Sequence, residues 1–262
     1  MAERARRRAT SPQLDALADN ALRVKAWMVH SLLCEEYKCP IPYFHEMDPL
    51  SELVSSLLSH RTRNADSGRA FKSLRARFPT WSEVRDASTA EVQMAIASVT
   101  WPEQKAPRIQ QVLRQITALR GDLSLDFLSA LSVAEARRWL EALPGVGPKT
   151  SAATLLFSRL RMPALPVDSH HHRVAQRLGL IPVSLDVGPS HAVLEAQLPT
   201  GLTAQQVYDN HEVLMLHGQH CCYYRAPACE RCVVYALCPT GQRLHPELVG
   251  RVGELGASGE TL

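Results

Sequence analysis

Long apolar runs are missing from this chain of 262 residues. No window of about eighteen apolar residues is free of charge, so no membrane-spanning helix is expected. Arginines near the start are not followed by an apolar stretch of the secretory kind, and an export signal is not expected either. A surplus of one charge is also missing. The net charge is +3, and Arg4, Arg6, Arg7 and Arg8 against Glu3 account for all of it. The rest is neutral, so any basic surface must come from local clustering. The Arg6–Arg8 run reads as a solvated tail before it reads as a phosphate-seeking arm. Lysine is scarce: Lys25, Lys38, Lys72, Lys105 and Lys149 are the only ones. A reaction needing a lysine has few candidates. Period-2 alternation and Asn-Gly hairpin turns are lacking, which predicts few or no strands.

What remains is ordinary globular composition, 45% apolar and 21% charged. It excludes a disordered chain, a collagen-like fibre and a small disulfide scaffold. Helical periodicity recurs throughout. Leu14, Leu17, Ala21, Val24, Met28 and Leu32 mark one face after a Ser11-Pro12 start. Leu50, Leu53, Val54, Leu57 and Leu58 mark another, followed by Phe71, Leu74 and Phe78. Boxes at Ser88–Glu91, Ser132–Glu135 and Thr203–Gln206 start further helices. The Gly-, Glu- and Ser-rich end after about Gly241 reads as disordered.

Five of the seven cysteines lie between 221 and 238. An odd count and this clustering argue against a disulfide framework. Cys222, Cys229, Cys232 and Cys238 are spaced to surround a metal centre, with zinc or a disulfide pair as alternatives. Cys34, Cys39 and Cys221 read as plain packed or surface thiols.

Leu143-Pro144-Gly145-Val146-Gly147-Pro148-Lys149-Thr150 separates two helical stripes. It is either a plain turn between helices or a phosphate cradle built on a helix N-terminus. A lysine there faces the positive end of a helix dipole, which favours a neutral, nucleophilic amine. Nineteen positions on stands Asp168, where another helix begins. Between Lys149 and Arg177 five cations face Asp168 alone, a local surplus expected to meet phosphate.

These motifs, in this order, resemble the endonuclease III family of helix-hairpin-helix DNA glycosylases, from about residue 45 to 238. The resemblance implies an all-α fold of two helical domains flanking a DNA-binding cleft. A six-helix domain would span 42–163. A cluster domain would combine 11–41 with 164–240, with a disordered basic arm at 1–10 and a flexible tail at 241–262. Lys149 falls on the family's Schiff-base lysine and Asp168 on its catalytic carboxylate. The four spaced cysteines fall on ligands of a [4Fe–4S] cluster. Gly145, Gly147, Thr150, His170, Arg173 and Arg61 would contact DNA. The implied activity is removal of oxidised pyrimidines from double-stranded DNA and strand cleavage by β-elimination. Alternatives are a glycosylase without lyase activity, acting on mismatched or damaged bases, and a non-catalytic DNA-binding module. The expected partner is damaged or abasic duplex DNA. A monomer in the cytoplasm, associated with the nucleoid, is expected. Three departures bear on lesion preference. The Lys149–Asp168 interval is one residue longer than in common members. Arg61 stands where many carry glutamine. The Val99–Lys105 stretch lacks the usual wedge sequence.

Overall fold

A computed structural model describes residues 12–249, with side-chain surroundings from residue 19 onward. The expected basic arm, the Ser11 cap, Leu14, Leu17 and the end of the tail lie outside these limits. Among the described residues there are helices and no strands. The chain divides into two compact units.

The hairpin unit comprises 40–168 and 203–211. Its helices are α2 (Pro49–Ser59), α3 (Asn64–Arg77), α4 (Trp81–Asp86), α5 (Thr89–Ala95), α6 (Pro102–Arg120), α7 (Val133–Glu141) and α8 (Pro148–Phe157). The start of α11 (Ala204–His220) belongs to it as well. The expected stripes meet in one core. Leu50, Leu53, Val54, Leu57 and Leu58 of α2 lie with Ile109, Val112, Leu113 and Ile116 of α6 in a cluster that water does not reach. A fully buried aliphatic side chain contributes about 1.5–3 kcal/mol, so this cluster dominates the unit's stability. Local signals set the helix ends. Asp48 accepts from the Leu50 and Ser51 N–H groups at the head of α2. Ser132 and Glu135 form a reciprocal capping box on α7. Buried Gln110 donates to the Val84 and Ala87 carbonyls, satisfying the end of α4 from within α6.

The cysteine unit comprises residues up to Cys39, then 169–202 and 212 onward. It holds α1 (Pro12–Tyr37), α9 (Ser169–Leu178), α10 (Val187–Ala196), the rest of α11 and α12 (Pro239–Leu244). Three expectations need correction here. On α1 the buried face is Ala26, Val29, His30 and Leu33, whereas Val24 and Met28 are exposed. Both sets fit a 3.6-residue period, and composition alone chose the wrong one. Cys34 and Cys39 pair as a disulfide across the end of α1, where Lys38 takes a positive φ and the Cys39 N–H donates to the Cys34 carbonyl. The expected flexible tail is ordered as far as Val249, with α12 and a short 3-10 turn at Pro246–Leu248. Its anchor is Tyr235, buried, whose hydroxyl donates to the His245 carbonyl at 2.6 Å.

Candidate active site and cysteine pocket

The hairpin joins α7 to α8. Gly145 sits at φ +78°, a region where a side chain is strained, and a Cβ there would strike the Arg108 side chain. Gly147 needs no such freedom: its φ is −110° and a Cβ would meet nothing. Pro148 then opens α8 at the position where its missing N–H costs nothing.

Lys149 follows in the first turn of α8, half-buried as a whole. Protein surrounds its amine, and this burial lowers its pKa from the usual lysine value; Glu52 and Asp168 pull the other way and lose. Lys149 and Asp168 are therefore electrostatic neighbours within the hairpin unit. Asp168 is half-buried, at the end of an extended link whose Val167 is fully buried. Glu52 was not foreseen. It is buried on α2 at 3% exposure, 3.0 Å from His45 Nε2, and accepts from Ser56 Oγ at 3.0 Å. A single acid on an otherwise apolar helix face gave no pattern to read.

Thr150 is placed differently from expectation. It is 1% exposed, and its hydroxyl lies 2.8 Å from His60 Nε2 rather than facing a phosphate. His60 caps the C-terminus of α2, so this bond ties α2 to the head of α8. Burial, then the charges of Lys149, Lys105 and Arg108, push the His60 pKa down to about 4. Arg61 comes next, exposed and at φ +49°, with its guanidinium 5.8 Å from the Trp101 ring.

The expected phosphate footprint from the local arginines is corrected. Arg159 pairs with Asp126 at 2.6 Å. Arg161 donates to the Phe157 and His45 carbonyls and lies over the Tyr43 ring. Arg173 donates to the Gly218 and Cys222 carbonyls and bonds His170 Nδ1. Arg177 donates to the Tyr223 and Tyr224 carbonyls. A run of cations in sequence became a set of braces: Arg159 pairs on the surface, and the others donate to carbonyls of helix ends and loops that need donors.

In the cysteine unit, Cys222, Cys229, Cys232 and Cys238 line one pocket together with Cys221 and His217. The sulfurs have donors suited to thiolates. Arg177 Nη1 donates to Cys222 Sγ at 3.2 Å, and the Gly241 N–H donates to Cys238 Sγ at 3.2 Å. Burial and the neighbouring Cys238 and Cys222 push the Cys229 thiol up to about 11. Such crowded thiols fit a cationic centre, which relieves their mutual repulsion. Cys221 departs from its expected role. It is buried, and its sulfur, Cys232 Sγ and a His217 ring nitrogen all lie within 4.8 Å of one another, a metal-ligand grouping of Cys/His type.

Residues 54–197 match the HhH-GPD superfamily base excision DNA repair proteins. Endonuclease III of Thermotoga maritima is 31% identical over 193 residues, covering 74% of this chain and 84% of that one. An Arabidopsis thaliana protein provisionally named a DNA glycosylase is 35% identical over 67% of this chain, which spans 58% of that relative's length. A solved trapped endonuclease III–DNA covalent intermediate shares the fold at TM-score 0.70 and 22% identity, over 85% of this chain and 98% of that one. The chain belongs to the HhH-GPD superfamily of base excision DNA repair proteins, in its endonuclease III branch. It is a DNA glycosylase of base excision repair.

Proposed function

We propose that the protein is a glycosylase with lyase activity, which removes oxidised pyrimidines from duplex DNA through a Lys149 Schiff base. The observation that carries this reading is the lowered pKa of Lys149 beside Asp168, at the head of the hairpin helix. A lowered pKa enlarges the share of uncharged amine, the form that nucleophilic attack requires. The damaged nucleotide must first leave the stack. The Lys149 amine then bonds C1′, and the C1′–N bond breaks with its electron pair leaving on the base. Asp168, ionised, stabilises the positive charge that develops at C1′, as the second carboxylate does in glycosidases. The nitrogen gives up one of its two protons, the C1′–O4′ bond breaks with the ring oxygen taking a proton, and an iminium at C1′ remains. Loss of the C2′ proton then expels the 3′ oxygen. Backbone N–H groups of Gly145, Gly147 and the head of α8 after Pro148 would receive a DNA phosphate. His170 would support the strand from α9, with Arg173 holding its ring through Nδ1 rather than meeting phosphate.

Arg61 would fill the gap left by the flipped base. Arginine only donates, and guanine presents two acceptors, so lesions opposite guanine are favoured. Cys222, Cys229, Cys232 and Cys238 would hold a [4Fe–4S] cluster, which supplies iron–thiolate bonds that tie the loop together. No described helix is long and apolar enough to cross a membrane. A monomer working on the nucleoid in the cytoplasm suits this reading.

Borohydride trapping on duplexes carrying thymine glycol or a natural abasic site tests the lyase step. Lys149→Ala is expected to lose the trapped complex while retaining DNA affinity to within about tenfold, since the backbone phosphate contacts of the hairpin remain. Undiminished trapping in Lys149→Ala overturns the Schiff-base assignment.

A further inference from the structure

Lys105 is one of five lysines, and the only one in the chain with its amine saturated by three internal acceptors among the described residues. It stands in the first turn of α6 at 8% exposure. Nζ donates to the Leu58 carbonyl at 2.7 Å, the His60 carbonyl at 2.7 Å and Thr62 Oγ1 at 2.8 Å. An ammonium has three donors and no acceptor, so the count closes. No acid appears among the causes acting on it; burial alone lowers its pKa, to about 8. A buried cation without a counter-ion is costly, and it persists only where hydrogen bonds replace its hydration. Oriented carbonyls do that here.

The knot fastens two strained pieces of chain. Arg61, at φ +49°, sits between His60 and Thr62, two of the three residues whose oxygens Lys105 holds. Trp101, at φ +55°, precedes α6 and is 44% exposed. Left-handed backbone at such residues is strained and lasts only where surroundings impose it. The surroundings are visible. Thr62 Oγ1 accepts from the Thr100 N–H at 3.1 Å as well as from Lys105, which joins the two strained turns through one hydroxyl. The outcome is an exposed guanidinium and an exposed indole 5.8 Å apart, two flat groups that stack on nucleobases. From the other side, His60 carries the same knot to Thr150, next to Lys149.

We infer that Lys105 is a positioning residue, which uses its three hydrogen bonds through Leu58, His60 and Thr62 to present Arg61 and Trp101 together to a nucleobase. The inference rests on the DNA glycosylase reading but not on the lyase step. The probe is a duplex holding a tetrahydrofuran abasic analogue opposite each of the four bases, followed by fluorescence anisotropy. The wild type is expected to prefer guanine about tenfold, the worth of one good base contact. Lys105→Met and Thr62→Val are each expected to bring the four affinities within about twofold of one another. In single-turnover cleavage of a natural abasic site, both should raise the half-saturating concentration more than they lower the rate of Lys149 chemistry. Thr62→Val removes one knot bond at little cost in volume, which keeps the test open if Lys105→Met fails to fold. Lys105→Arg, which keeps charge and donors, should restore part of the preference. An unchanged base profile in either folded variant overturns the inference, and so does a flat profile in the wild type. Absence of trapping in the wild type, with the base profile as expected, overturns the lyase reading and leaves the Lys105 role standing.

Discussion

A neutral histidine wired to the hairpin makes the protein sensitive to acid. Burial and three nearby cations hold His60 down to about 4, against an ordinary value near 6.5. The unfolded chain takes up a proton as pH falls through 6.5, and the folded chain resists until about 4. The unfolded state therefore binds more protons in that window, and stability falls as pH falls. Thermal unfolding at pH 7, 6 and 5 should show a steeper decline for the wild type than for His60→Gln. Parallel slopes would remove His60 as the source. Arg61 offers a second residue-scale test. Arg61→Gln should flatten the opposite-base profile and leave trapping intact. A uniform loss across all four bases, with a shallower salt dependence, would instead mark a phosphate contact.

At the scale of elements, one helix contact is close enough to depend on a glycine. Gly218 on α11 faces His170 on α9. A Cβ there would lie 2.8 Å from His170 Cβ and 3.2 Å from its Cα and carbonyl oxygen. Backbone cannot turn aside as a side chain can, so the helices must separate. Gly218→Ala is expected to cost about 1–3 kcal/mol, the usual range for overpacking. Gly188→Ala, where a Cβ meets nothing, is the control and should be neutral or slightly stabilising. Equal melting temperatures for the two variants would refute the close-contact argument. Elements of this kind differed in how far they could be read from sequence. The stripes of α2 and α6 were legible because their leucines and isoleucines repeat at one period and bury together. The hairpin, Lys149 and Asp168 were legible as a motif. The face of α1 was not, because two apolar sets compete on one helix. Lys105, Glu52 and His60 carried no signal, since their meaning lies in partners forty or more positions away or in burial. The arginines misled, because charge in a sequence does not say which carbonyl will claim it.

At the scale of the whole molecule, the cysteine loop is thinly packed from Cys222 to Val233, with Val234 and Tyr235 its buried apolar side chains. Of its cysteines only Cys221 is buried outright, and the loop holds exposed Tyr223, Tyr224 and Val233. With the proposed cluster bound, metal binding there would be folding energy. Cys229→Ser should lose iron and become protease-sensitive after about residue 200, with base excision reduced through instability rather than through chemistry. Full iron content in the purified variant would show that Cys229 is no ligand.

The hairpin unit borrows residues 203–211 from a helix made after Asp168. Tyr208, 1% exposed, stacks on Tyr43 with ring centroids 4.0 Å apart and meets Phe157 edge-on at 5.8 Å. His211 Nδ1 reaches the Pro166 carbonyl at 2.9 Å. During synthesis on the ribosome, then, the unit that carries Lys149 lacks part of its packing when its own contiguous stretch has emerged. It waits, with the Phe157 face bare, for a segment translated later. A nascent chain arrested just beyond Asp168 should accordingly be digested readily by protease, whereas one arrested with residue 211 clear of the exit tunnel should protect the Pro40–Asp168 stretch.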